Sequence, residues 1–365
     1  MKIVSVEPIH ISVPYDYGGP LQKADAIPWR NMETLFVKVT TDEGIVGWGE
    51  GFGFSICGTT RYAVEHMIAP LAVGRDPSDI DALITDIAKK QHTGGRNGPL
   101  SFGISALDIA LWDIKAKRAG LPLYRLLGET RTIERMPAYA SLLRYGSVEL
   151  VERHSGNAVQ KGYTRVKLHE IRTPEVAIAR KAIGPKVQLM VDTNCPWTVD
   201  EAIAMARSMA PYDLAWLEEP VWPPEDYAGQ ARVRKEGGVA VAAGENAGTF
   251  ADIAQLIDTA GVDFVQPSVT KIGGVSGMLR AIAYARTRGT KVAPHSPYFG
   301  PGLIATMHLN ASMPEKPPIE RFYLDLQASP FGDWVDARNG EMRIPQAPGL
   351  GIDVDESVLA KYRVG

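Results

Sequence analysis

Three acidic residues, Asp192, Glu218 and Glu245, recur at near-equal intervals, and each closes a short apolar run (residues 187–191, 214–217 and 239–244). That interval fits one strand, one helix and two loops, the unit of a (β/α) barrel. Strands of such a barrel end at a common mouth, so their terminal carboxylates converge. Three converging carboxylates repel unless a cation lies between them, and an all-oxygen donor set selects Mg²⁺ or a similar hard ion.

The remainder of the chain agrees with this unit. From Met136 onward, strand-like segments at 137–141, 165–169, 187–192, 215–219, 240–245, 263–268, 291–295 and 319–323 alternate with helical ones such as 199–210 and 276–288. Eight strands is the number that closes the barrel. The first part reads instead as α+β. Strands are expected at 2–14, 34–41 and 45–50, with a turn at Asp42-Glu43-Gly44, and helices at 61–71, 77–91 and 100–120. The third of these places Ile104, Leu107, Leu111 and Ile114 at helical spacing and stops at Gly120 and Pro122. Glycine- and aromatic-containing stretches at 15–31 and 51–60 have the composition of lid loops. The Gly/Pro-punctuated end, from about Leu326, reads as a return segment. The expected architecture is α/β: a TIM-type barrel (129–325) with an N-terminal α+β capping domain (1–128), completed by a C-terminal segment (326–365).

Composition sets limits on partners. A net charge of −3 offers neither the basic field that nucleic acid requires nor a polybasic membrane patch. No apolar stretch reaches spanning length, and the N-terminus reads as a strand, not as a signal peptide. Two cysteines, Cys57 and Cys195, give no disulfide framework and suit a cytoplasmic protein.

The polar residues at the strand ends are Lys167, His169, Asp192, Glu218, Glu219, Glu245, Ser268, His295 and Glu320. Singly, each has an ordinary reading as a helix cap, ion-pair partner or structural histidine. Their common register argues for a site. The motifs 191–194 (Val-Asp-Thr-Asn), 216–220 (Trp-Leu-Glu-Glu-Pro), 243–246 (Ala-Gly-Glu-Asn), 271–275 (Lys-Ile-Gly-Gly-Val), 294–296 (Pro-His-Ser) and 319–321 (Ile-Glu-Arg) occur in order. With the helix around 105–117 and the ending 348–352, they make the chain resemble the mandelate racemase-like branch of the enolase superfamily over nearly its whole length. The resemblance implies Mg²⁺ held by Asp192, Glu218 and Glu245, a small-molecule carboxylate substrate, removal of its α-proton through an enolate, and a homo-oligomer. It implies Glu320 as an electrophilic glutamate, which acidic surroundings are expected to keep protonated.

Two departures from the family pattern bear on the reaction. The second strand ends Lys167-Leu168-His169 where Lys-x-Lys is common, which makes His169 the candidate base and Lys167 its electrostatic partner. Ser268 occupies the sixth-strand position where the family pairs an aspartate with the histidine here numbered His295. A hydroxyl supports an imidazolium far less than a carboxylate does, so His295 is expected to be a weak base and an acid or hydrogen-bond donor. Dehydration of a sugar acid to a 2-keto-3-deoxy acid is the expected reaction. The alternatives are a racemase, epimerase or cycloisomerase of an α-substituted acid and, from another class, a metal-binding barrel without catalysis. Asn194, Ser141, Tyr298, Trp29 and Ser268 are candidate substrate contacts, with Glu219, His92, Arg96 and Lys271 as further candidates near the mouth.

Overall fold

Ile9, Ile11 and Val13 alternate along one strand, so they share a face, and all three are buried. They belong to β1 (Ile3–Asp16), which pairs antiparallel with β2 (Asn31–Thr41). Across the 42–44 turn, β2 pairs with β3 (Val46–Gly51). The long helix α1 (Pro99–Arg118) lies on this sheet. Its approach is close enough that a Cβ at Gly49 would sit 1.9 Å from the Ala106 carbonyl oxygen, so only glycine fits there. The structure, a computed structural model, describes residues 1–24 and 27–365. Within the expected lid at 15–31, β1 continues to Asp16 and two short strands, Gln22–Ala24 and Ile27–Trp29, pair with each other. Residues 25 and 26 of that stretch lie outside the described residues.

Eight parallel strands follow: β4 (Arg135–Ser141), β5 (Arg165–Leu168), β6 (Gln188–Asp192), β7 (Leu214–Glu218), β8 (Val241–Ala243), β9 (Phe264–Val265), β10 (Lys291–Val292) and β11 (Ile319–Phe322). Their order in the sheet is β10-β9-β8-β7-β6-β5-β4-β11. The sheet curls, and its inner face holds Tyr139, Met190, Trp216, Ala242 and Ala293 as one apolar cluster. Each of the first three lies two residues before a polar strand end (Ser141, Asp192, Glu218), so strand alternation aims those ends inward above the apolar floor. β8, β9 and β10 are shorter than expected because the chain leaves the ladder to enter the mouth; a single parallel bridge joins Ser268 to His295 there. The two ends of the curl meet at Glu320, whose Oε2 accepts from the Ser296 backbone N–H at 2.9 Å.

The C-terminal residues return to the first sheet. Asp325–Leu326 pairs with Tyr15 and Asp16, and the Val364 N–H donates to the His10 carbonyl at 2.8 Å. Among the described residues no helix is long and apolar enough to cross a membrane.

Candidate active site and metal centre

Lys167 is the hub of the strand ends. It is fully buried, and its ammonium lies 2.7 Å from Glu320 Oε1, 3.0 Å from Glu218 Oε1 and 3.2 Å from Asp192 Oδ2. Burial works against its charge, but the three carboxylates outweigh burial and lift its pKa well above the ordinary lysine value. Asp192, Glu218 and Glu245 each offer a carboxylate oxygen, and these oxygens lie within 4.8 Å of one another. Burial, and then the charge of Asp192, push the Glu218 carboxyl well above the usual range. Asp192, although buried, is held below it by Lys167 and His169. One lysine cannot neutralise this cluster. The donor set, carboxylate oxygens of buried Asp192 and Glu218 and of partly exposed Glu245 in one concave mouth, fits a hard divalent cation. Asp192 is oriented by the backbone and side-chain N–H groups of Asn194, both donating to Oδ1 at 3.0 Å. Glu218 is oriented by the Trp216 indole at 2.9 Å. Strand alternation alone would turn Glu245 outward, since Ala242 faces inward. At Gly244 the backbone takes φ 134°, leaves the strand geometry and re-aims the next side chain.

The two histidines each touch a different carboxylate of this set. His169 Nε2 lies 3.2 Å from Asp192 Oδ2, while its Nδ1 meets the Leu142 carbonyl. Because a carbonyl only accepts, Nδ1 carries a proton; Nε2 faces the Asp192 carboxylate, and would offer a lone pair to a substrate once that oxygen is engaged by a cation. His295 Nε2 lies 2.9 Å from Glu245 Oε2, and its Nδ1 is 3.2 Å from both the Ser268 and the Tyr298 hydroxyl oxygens. Those hydroxyls also bond to each other. The family's aspartate would accept a proton from Nδ1; a hydroxyl can donate to it instead, which leaves the proton on Nε2.

Glu320 departs from expectation. Burial raises its pKa, but the ammonium of Lys167 and the ring of His295 bring it down to about 2. It is therefore an ionised partner of Lys167, not the protonated donor expected from its acidic surroundings. Ser141 donates to Glu320 Oε1 at 2.8 Å from behind the site. Ser268 and Tyr298 likewise stand behind His295, so these three expected substrate contacts support other side chains. Lys271 is buried with its ammonium 4.1 Å from the Phe52 ring centre. His92 is exposed and bonded to the Lys89 carbonyl. Arg96 and Glu219 border a separate groove.

His169, Asn194, Glu245, His295 and Glu320 do share one chamber of about 450 Å³, and Trp29 is in its wall. Sequence reasoning missed Arg144, whose Nη2 donates to the Thr193 carbonyl at 3.3 Å and whose Nε donates to that of His169. Its place three residues past the end of β4, in the loop after that strand of the parallel sheet, was the available signal. It also missed the apolar wall of Phe52, Phe54, Ile56, Leu143 and Phe322. A larger groove of about 740 Å³, between Asp16, Tyr163 and Arg338, contains none of the strand-end residues.

Comparison with known proteins agrees with this geometry. Residues 20–128 match the mandelate racemase/muconate lactonizing enzyme N-terminal domain, and residues 149–358 match the enolase C-terminal domain-like family. The chain is 32% identical to L-talarate/galactarate dehydratase of Salmonella typhimurium, over 90% of this chain and 82% of that one. It superposes on 3,6-anhydro-D-galactonate cycloisomerase of Zobellia galactanivorans with a TM-score of 0.86, at 30% identity and with all of both chains covered. A racemase from Streptomyces coelicolor solved with bound magnesium gives a TM-score of 0.86 at 27% identity, covering 99% of this chain and 100% of that one. With both halves of the chain matched and the strand-end residues gathered at one mouth, the chain belongs to the mandelate racemase/muconate lactonizing enzyme family of the enolase superfamily.

Proposed function

We propose that this chain removes the α-proton of a carboxylate substrate with the help of Mg²⁺ and dehydrates a sugar acid to a 2-keto-3-deoxy acid. The observation that carries the reading is that two differently wired histidines lining one chamber each contact a different member of one carboxylate triad. Asp192, Glu218 and Glu245 would hold the ion. Bound there, it would supply positive charge to the substrate carboxylate as the α-proton departs. His169, with its Nδ1 proton committed to Leu142, takes that proton on Nε2. Lys167, whose three N–H donors are taken by three carboxylates, would contribute its fixed positive charge near the carboxylate end. His295, as the imidazolium with its Nδ1 proton on the Ser268 and Tyr298 hydroxyl oxygens, would give the proton on Nε2 to the departing β-hydroxyl and be left neutral. The C–O bond breaks as the carbon–carbon double bond forms, water leaves, and the enol becomes the keto acid.

The names of the relatives support this class: one is a dehydratase of sugar diacids, another a cycloisomerase. A second reading, epimerisation or cycloisomerisation, is favoured by one observation: both histidines reach the chamber, so either could protonate the carbanion. The further parts of the proposal are a closed barrel, supported by the Ser296–Glu320 bonds joining the ends of the curl, a homo-oligomer and a cytoplasmic location.

Incubation with Mg²⁺ and a panel of sugar acids in D₂O, followed by NMR, tests the chemistry. Keto acid formation is expected. Exchange or inversion without keto acid would favour the second reading. His169→Asn is expected to lower α-proton exchange by about 10²–10⁴-fold, the usual worth of a general base, and full turnover in that variant would refute His169 as the base.

A further inference from the structure

A second group of side chains with metal-binding atoms lies in the first domain, on the face of its sheet opposite to Ile9, Ile11 and Val13. His10 pairs with Leu35 and Ser12 with Glu33 across β1 and β2, so strand alternation makes His10 and Glu33 diagonal neighbours on that face. The short helix Cys57–Ala63 brings its first residue onto them. A ring nitrogen of His10, a carboxylate oxygen of Glu33 and the Cys57 sulfur all lie within 4.8 Å of one another. His10 and Cys57 are buried, while Glu33 is partly exposed and gives the group an edge on solvent.

Two features set this group apart from an ordinary ion pair beside a packed thiol. His10 Nε2 is 3.2 Å from Glu33 Oε2. Two ligands of a tetrahedral ion, each about 2.0–2.1 Å from it, stand roughly 3.3 Å apart. The Cys57 sulfur is fully buried and, among the described residues, has no hydrogen-bond partner. Packing within the apolar cluster that holds Leu35 and Val64 accounts for its burial, but not for the imidazole and carboxylate gathered at the sulfur. Nitrogen, oxygen and sulfur donors together suit Zn²⁺. Mg²⁺ prefers oxygen alone and is better served by Asp192, Glu218 and Glu245. We propose that His10, Glu33 and Cys57 form a second metal site, of zinc type, in which water would complete the tetrahedron. Ligation would replace the S–H proton, which passes to solvent, so binding tightens as pH rises. A Cβ at Gly53 would sit 2.2 Å from the Cys57 sulfur, so the loop backbone rests on the thiol. Residues 52–56 of that loop line the reaction chamber. A metal on Cys57 would therefore tie the chamber wall to the first sheet without adding a group to the chemistry.

Co²⁺ reports thiolate ligation by its absorption. Chelator-treated protein returned to excess Mg²⁺ would be titrated with Co²⁺. One equivalent is expected to bind with a thiolate-to-cobalt charge-transfer band, and Zn²⁺ to bleach that band by displacement. Cys57→Ser should abolish the band, whereas Cys195→Ser and Asp192→Asn, which lie outside this group, should keep it. Glu33→Gln, at the solvent edge where folding is not at stake, should weaken Co²⁺ binding at least about tenfold, the least that losing even an outer-shell partner costs. Zn²⁺ should raise the denaturation midpoint of the Mg²⁺-loaded protein but not that of Cys57→Ser. No charge-transfer band in unmodified protein, a band that survives Cys57→Ser, or undiminished affinity in Glu33→Gln would overturn the proposal. None of these readouts involves turnover, so the zinc-type site and the enolising reading stand or fall separately.

Discussion

Ser268 shows how one atom type at one position can assign a role to a neighbour. Its hydroxyl and that of Tyr298 are the groups at His295 Nδ1, and either can give that nitrogen a proton to accept. In the neutral ring the lone pair then belongs to Nδ1 and the proton to Nε2, on the side of Glu245 and the chamber. His169 has the opposite wiring, because a backbone carbonyl at Nδ1 can only accept. In the proposed reaction one histidine would take a proton and the other would give one. Ser268→Asp replaces the donor with an obligate acceptor. The expected result is a proton moved to Nδ1, a lone pair at Nε2 and a basic His295. Keto acid formation should fall by at least about tenfold, as expected for the loss of a positioned acid. Inverted substrate should appear in its place, as the second face of the carbanion gains a base. Chiral analysis of recovered substrate alongside keto acid assay decides this. Unchanged product ratios would show that Ser268 does not set the role of His295.

At the scale of elements, a helix with no part in the chemistry carries a titratable group that ties the two parts of the chain together. The helix α2 (Pro301–Ser312) is buried almost throughout, and His308 on it is fully buried. His308 Nδ1 accepts from the Tyr124 backbone N–H at 3.3 Å, and Nε2 donates to the Leu350 carbonyl at 3.1 Å. Protonating Nδ1 would break the first bond and bury a charge, and burial accordingly lowers this imidazole to about 4. The unfolded chain takes up a proton near the ordinary value while the folded chain does not. Stability should therefore fall as pH drops from about 6.5 toward 4, by up to about 3 kcal/mol from this residue. Urea denaturation of wild type and His308→Gln at pH 7 and pH 4.5 measures it as the difference between their two pH dependences, and the variant should cost stability at pH 7. The same scale shows what the sequence revealed. The inward strand ends of β6 and β7 were legible, because an apolar run with period two fixes which side chain faces the mouth. Glu245 was legible by interval, although its direction depends on the conformation of Gly244. The ionised state of Glu320 was not, since it depends on an ammonium 2.7 Å away, from a residue far earlier in the chain. Nor was the aromatic wall of the chamber: Trp29, Phe54 and Phe322 come from loops and strands far apart in sequence, and nothing local to any of them marks the others as neighbours.

For the molecule as a whole, the chamber exists only while the first domain, with Trp29 and Phe54, is held over the strand ends of the curled sheet. Buried carboxyls do part of that holding. Glu50 on β3 accepts from the Gly302 N–H, at the start of α2, at 2.7 Å. Asp108 on α1 accepts from the Ser276 N–H at 3.0 Å through Oδ1, while its Oδ2 is buried with no hydrogen-bond partner. An orphaned carboxyl oxygen is where a proton resides at least cost. Burial pushes Asp108 to about 7 and Glu50 to about 8, even against the backbone N–H groups that favour their charged forms. A carboxyl whose pKa rises on folding contributes stability that is complete below its unfolded value, near 4. That contribution is lost as pH rises through the folded value. The docking of the two parts should therefore weaken between about pH 4 and pH 8, by at most roughly 4–5 kcal/mol for each group on pKa linkage. This slope is opposite in sign to that of His308, so the two are separable by pH range and by variant. Glu50→Gln and Asp108→Asn keep the shape and the acceptor oxygen but remove the titration. Both should lower the dependence of denaturation midpoint on pH above 6, and the double variant should nearly abolish it. If the wild-type midpoint is flat or rises between pH 6 and pH 8.5, these carboxyls are ionised in the folded protein and the docking is charge-assisted throughout.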